Sequence, residues 1–201
     1  MGTKKLEGEI RREQIVKAAL ELLGTRSVGE LSMADIARRV GLVPSAIYRH
    51  FDGREAILDA IVDLIDRRLK ASLEAVGQQP GRVFDKLRAL LMRHVQFVRE
   101  NHALPRIVFS DEMVSRNPAR RARVYQVIEA YLVGVGELVR QGQAAGEIRT
   151  DLDPKTVAML FLGIVQPGAV LWHLSDGQFD IARHAKGAWR QFRQSLAAEK
   201  G

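Results

Sequence analysis

Apolar residues recur at helical spacing along almost the whole chain. Ile10, Ile15, Ala18, Ala19, Leu22 and Leu23 fall on one face, and Gly24 suits the end of that helix. Ser32 to Asp35 read Ser-Met-Ala-Asp, a capping-box form that opens a short helix with Ile36, Ala37 and Val40 turned inward. Gly41 suits the left-handed position of a tight turn, and Pro44 suits the first turn of another helix, where a missing N–H costs nothing. Residues 32–50 therefore read as helix, tight turn, helix. A longer helix is expected from near Gly53, with a stripe of Ile57, Leu58, Ile61, Leu64, Ile65, Leu69, Leu73 and Val76, closed by Gly-Gln-Gln-Pro-Gly at 77–81. The same periodicity predicts helices over 81–100, 118–141, 153–174 and 178–197, and a short one over 103–112. Asn117-Pro118 and Asp153-Pro154 each supply an N-cap and a first-turn proline. No run of alternating β-branched residues argues for a strand. The reading is all-α, with three short helices in residues 1–52 and long amphipathic ones in residues 53–201.

Two short helices joined by a glycine turn make a helix-turn-helix, whose second helix enters the DNA major groove. Around that second helix stands Val-Gly-Leu-Val-Pro-Ser-Ala-Ile-Tyr-Arg-His-Phe-Asp-Gly-Arg, residues 40–54. Ile47 and Phe51 are four apart and can face a core together, which turns Tyr48, Arg49 and His50 outward. Ser45, Tyr48, Arg49 and His50 have donors for phosphates, and Arg49 can instead read a guanine through a paired hydrogen bond. Arg54 stands at the start of the next helix, where its charge and the helix N–H groups suit one phosphate. Ser32, Pro44 and Ala46 complete the expected DNA-binding set. Four Arg and one Asp lie in residues 38–54, so that stretch is expected to be basic, and Lys4, Lys5, Arg11 and Arg12 suggest a flexible basic arm.

The stretch Ser32–Leu58 resembles the DNA-binding signature of the TetR family of transcriptional regulators. Tyr48, the His50-Phe51 pair and a basic residue three positions after Phe51 carry the likeness, which covers roughly residues 10–65. Arg54 stands where the family more often has Lys, and Leu23 where it often has Phe. The resemblance implies a small N-terminal DNA-binding domain, a larger helical domain that binds a small ligand and dimerises, and repression relieved by that ligand.

The charge supports an anionic partner without locating it. The net charge is +7, yet residues 1–70 hold 13 Lys and Arg against 11 Asp and Glu, and the remaining residues 18 against 13. Most of the excess therefore lies outside the helix-turn-helix. No cysteine is present, which excludes disulfides and thiolate metal sites. The N-terminal residues lack the apolar core of a signal peptide, and a cytoplasmic location is expected. Residues 156–172 are the least charged stretch, but Gln166, Pro167 and Gly168 interrupt them; they read as a buried helix rather than a membrane span.

In the second domain the expected ligand lining is Leu91, His94, Val98, Phe109, Met113, Tyr125, Ile128 and Phe161, an apolar set for an apolar or aromatic effector, with His94 or Arg106 for a polar group. The expected dimer seam is Leu162, Val165, Ala169, Trp172, Ala185, Trp189 and Phe192, where aromatic anchors and small residues suit a two-fold four-helix bundle. Pro167-Gly168 predicts a bend at either the pocket or that seam. Asp111-Glu112 read as a helix end or solvated pair rather than a metal site, and Gly134, Gly136 and Gly142 fail a nucleotide-binding pattern, since Val139 and the absence of a preceding strand break it. No cofactor is expected. No HExxH, phosphate loop or cysteine nucleophile points to an enzyme. The expected function is a dimeric repressor released from a palindromic operator on double-stranded DNA by a small molecule, with the long helix from Arg54 as its lever. The alternative is a DNA-binding protein that answers to a protein partner or to no ligand.

Overall fold

The first apolar face closes on the helix-turn-helix. Helix α1 (Gly2–Leu23) buries Ile15, Val16, Ala18, Ala19, Leu20 and Leu23, while Ile10 is left largely exposed. It packs on α2 (Met33–Arg39), which packs on α3 (Pro44–Ile47). The computed structural model describes residues 2–108 and 110–198, and for residues 2–6 the backbone alone. The side chains of Lys4 and Lys5, expected in a basic arm, thus lie outside the described residues.

Contacts divide the chain into two units, residues 1–65 with 101–124, and residues 66–100 with 125–201. The first division falls inside α4 (Arg54–Gly77), whose buried Ile57, Leu58, Ile61 and Val62 belong to the first unit. The first unit also takes in α6 (Leu104–Ile107), a π turn at Asp111–Ser115 and the start of α7 (Pro118–Ala144). Asp111 opens that turn and accepts a hydrogen bond from Ser115 at 3.0 Å. Two arginines fasten these later segments to the earlier ones. Arg106, expected near a ligand, donates to the carbonyls of Leu23 and Arg26, and so satisfies acceptors that the end of α1 leaves open. Arg120 is 2% exposed and donates to Asp59 at 2.6 Å and to the Glu55 carboxylate at 3.0 Å.

The second unit is built on α5 (Val83–Glu100), α8 (Pro154–Leu174) and α9 (Ile181–Leu196), with parts of α4 and α7. Its core joins Phe84, Leu87, Leu91, Phe161, Trp189 and Phe192. Among the described residues there is no strand, only an isolated bridge between Ile148 and Ala197. The helix glycines are packing devices. A Cβ on Gly142 would stand 2.7 Å from Ile148 Cδ1 and 3.1 Å from Val83 Cγ1, and one on Gly134 would stand 2.6 Å from Leu73.

Helix α8 is helical throughout despite Pro167. A Cβ on Gly168 would lie 2.9 Å from His184 Cδ2, so the glycine lets α9 approach, and His184 Nε2 lies 3.2 Å from the Ile164 carbonyl. Pro167 sits on the opposite, exposed side. By length and composition α8 is long and apolar enough to cross a membrane, but Val157, Ala158, Phe161, Val165 and Ala169 are buried in the core. The other face carries Met159, Leu160, Val170, Leu171 and Leu174, all exposed. The reading of 156–172 as a buried helix therefore holds for one face only.

Candidate nucleic-acid interface

The helix-turn-helix is fixed by local hydrogen bonds at each joint. Ser32 caps α2, its hydroxyl oxygen accepting from the Asp35 N–H at 3.1 Å. The hydroxyl donates in turn to the Asp35 carboxylate at 2.8 Å, and this bond, with the Arg26 ion pair, holds that carboxyl below its ordinary pKa. At the other end of α2 the Leu42 N–H donates to the Ala37 carbonyl at 2.8 Å and the Gly41 N–H to the Arg38 carbonyl at 3.2 Å. This is the paired Schellman closure, and it requires Gly41 at φ 70°. Val43 then stands at the N-cap of α3 and Pro44 in its first turn.

After Pro44 the chain continues as helical turns to Phe51, whose N–H donates to the Ile47 carbonyl at 3.1 Å. Ile47 and Phe51 are buried, and they set the direction of everything between them. Pro44, Ser45 and Arg49 are exposed, Val43 is 65% exposed and Tyr48 54%. Ala46 and His50 are half-buried. One small outward face therefore presents an aliphatic side chain, a hydroxyl, a phenol and a guanidinium. Such a face can meet phosphates through Ser45 and Tyr48, and base edges through Arg49.

The basic stretch is less free than its composition suggests. Arg38 pairs with Asp35 at 3.1 Å, and Arg39 with Glu21 at 2.8 Å. Arg54, expected on a phosphate, instead donates to the Gly29 carbonyl at 3.1 Å and pairs with Glu55 at 3.4 Å. Arg12, expected in a loose arm, lies 4.0 Å over the Phe51 ring and donates to the His50 carbonyl. Of the four arginines in residues 38–54, Arg49 alone has no partner among the described residues. Sequence reasoning missed the Arg39–Glu21, Arg54–Gly29 and Arg12–His50 pairings because those partners lie 18, 25 and 38 positions apart.

The expected ligand lining is divided between the two units. Leu91, His94, Val98 and Phe161 are buried in the second unit. His94 lies edge-on to Tyr131, with Nδ1 3.3 Å from the Tyr131 hydroxyl. Burial lowers the His94 pKa to about 4, and burial likewise raises that of Tyr131. Ile128 is half-buried, and Tyr125 is 65% exposed with its hydroxyl 3.3 Å from Glu129. Met113 belongs to the first unit, and Phe109 lies outside the described residues. Tyr131, which sequence reasoning did not select, is the polar neighbour of His94; its spacing alone did not separate it from other core positions.

The residues expected at a dimer seam pack largely within one chain. Val165, Ala169, Trp172, Ala185, Trp189 and Phe192 are buried within a single chain, and Leu162 is half-buried. Trp189 meets Phe84 edge-on at 6.4 Å and Phe192 meets Phe161 at 6.0 Å, so these rings hold α9 to α5 and α8. The apolar surface left open lies on α8, where Leu160, Gly163, Pro167, Val170 and Leu174 recur at alternating steps of three and four.

Comparison with known proteins agrees with this architecture. Residues 15–61 match the model for bacterial regulatory proteins of the tetR family, and residues 80–196 match the tetracyclin repressor-like C-terminal domain. The chain is 22% identical over 189 residues to the nucleoid occlusion factor SlmA of Vibrio atlanticus, covering 94% of this chain and 95% of that one. It is 22% identical over 171 residues to a fatty acid metabolism regulator protein of Bacillus subtilis, covering 84% and 86%. The structure of the Bacillus subtilis transcriptional regulator FadR in complex with stearoyl-CoA superimposes with a TM-score of 0.75 at 20% identity, covering 90% of this chain and 96% of that one.

Proposed function

The chain belongs to the tetR family of bacterial regulatory proteins, and on that premise we propose how it works: a dimeric repressor that leaves a palindromic operator when a small molecule binds. It is a DNA-binding transcriptional regulator. The observation that carries the DNA reading is the outward face of α3, where Tyr48 and Arg49 stand unpaired among the described residues while Ile47 and Phe51 anchor them from below.

One short helix reads few bases. Two such helices about 34 Å apart would read successive major grooves of a palindrome, which asks for a dimer. The exposed stripe of Leu160, Gly163, Pro167, Val170 and Leu174 supports α8 as the pairing helix, with Gly163 allowing close approach. The effector is expected to be apolar or aromatic. In support, Leu91, Val98 and Phe161 share one buried apolar core with Tyr131, the partner of the neutral His94. FadR was solved with stearoyl-CoA, a ligand with a long apolar chain. Binding would act as a population shift, favouring a dimer whose reading helices are wrongly spaced. The site of action is the cytoplasm, with the operator.

The test is fluorescence anisotropy with the DNA flanking the protein's own coding sequence, across a salt series. The wild type is expected to bind a palindromic segment with a steep salt dependence. Tyr48→Ala/Arg49→Ala is expected to lose roughly 2–4 kcal/mol, one phosphate contact and one base contact together. Equal, weak binding of both proteins to any DNA would sink the reading.

A further inference from the structure

Most of the positive excess lies beyond residue 70, and α9 shows where part of it goes. Arg183, Lys186, Arg190 and Arg193 follow one another at steps of three, four and three, which puts them on one stripe about 15 Å long. Arg88 of α5 faces the same groove, whose volume is about 950 Å³. Two carboxylates also line it. Asp180 is engaged as the N-cap of α9, accepting from the Arg183 N–H at 2.9 Å, and Asp85 stands in the first turn of α5. Among the described residues no carboxylate comes within ion-pair distance of these five cations. Arg193 lies 5.4 Å over the Phe84 ring.

The floor differs from a surface built for phosphates alone. Phe84, Met92 and Trp189 supply apolar area between the helices, and Ala182 and Gly187 keep one wall low. The groove is half-open and linear, whereas small-molecule sites usually enclose most of their ligand. A row of cations at helical spacing beside an apolar floor matches an amphipathic helix with carboxylates on one stripe and aliphatic side chains on the next. We propose that the groove between α5 and α9 docks an acidic amphipathic helix of a protein partner. The small residues let the partner's backbone approach, the half-buried Met92 and Ala182 receive its aliphatic stripe, and the α9 stripe pairs with its carboxylates.

This site is separate from the α3 face, so the two can be tested apart on the full chain. The probe is a fluorescein-labelled synthetic helix with Glu on one stripe and Leu on the adjoining one. Controls carry Gln for Glu, or Ala for Leu. The readouts are anisotropy and, in a Trp172→Phe background, the intrinsic fluorescence of Trp189. The Glu-Leu helix is expected to bind, with Arg183→Glu/Arg190→Glu and the Gln control each weakening it by about tenfold or more. DNA binding by the double variant should stay within about twofold of the wild type, since neither residue lies on the reading face. Absence of binding by the wild type overturns the proposal, as does equal binding by the charge-reversed protein. Equal binding of the Ala control reduces the groove to a generic polyanion surface. Displacement of the helix by an oligonucleotide, with DNA binding lost in the double variant, reassigns the groove to nucleic acid.

Discussion

Acidifying the protein from about pH 7.5 to about pH 5 should expose the cost of burying His94. Among the described residues no carboxylate perturbs the imidazole; burial lowers its pKa from 6.5 to about 4. In the unfolded chain it takes a proton near its ordinary value, and in the folded chain it resists until near pH 4. Because the folded value is the lower one, the stability is complete above the ordinary pKa and drains away as the pH falls through it. At about pH 5 the unfolded form is almost fully protonated and the folded form almost fully neutral, which removes about 2 kcal/mol; the loss levels off at about 3 kcal/mol below pH 4. The assay is urea unfolding at both pH values and one fixed protein concentration, for the wild type and His94→Gln. Glutamine can still bond the Tyr131 hydroxyl but does not titrate. The variant is expected to be somewhat less stable at neutral pH, yet to lose about 2 kcal/mol less than the wild type on acidification. An equal loss in both proteins would refute the reasoning, and would mean that the His94 ring already meets water.

Two further outcomes follow from packing. Gly142→Ala puts a methyl against Ile148 and Val83, so a net loss of about 1–2 kcal/mol is expected in thermal unfolding, after the helix gain from alanine. Removing the nearest atom with Ile148→Val should shrink that loss, and no shrinkage would show that the crowding is elsewhere. Leu160→Glu/Leu174→Glu, on the exposed stripe of α8, should leave a monomer by light scattering and abolish operator binding, because two carboxylates would be forced into the apolar seam. A variant that stays dimeric would rule out α8 as the pairing helix.

The helix-turn-helix was legible because its signals are local. Ser32 and Asp35 are three apart, Gly41 and Pro44 sit at the turn, and Ile47 and Phe51 are one helical turn apart; each acts on the backbone beside it. The arginines were not legible, since a guanidinium's partner is a matter of tertiary distance. Arg106 reaches a carbonyl 83 positions back, and Arg120 a carboxylate 61 positions back. Which face of α8 is covered within the chain was not legible for a different reason. Helix α8 is apolar nearly all round, so periodicity cannot say which side is covered. Trp172 carries more apolar area than Leu160, and that area was a reason for burying it inside one chain rather than saving it for a second.

The attachment of residues 101–124 to the first unit bears on how this protein can be cut and recombined. The reading head is not a contiguous cassette. A chain stopped after residue 65 would keep the whole helix-turn-helix, yet it would leave the end of α1 without Arg106 and the start of α4 without Arg120. Chimeras that graft the first 65 residues onto another regulator would inherit the letters of recognition without the clasp that holds them. A transplant should carry residues 101–124 as well.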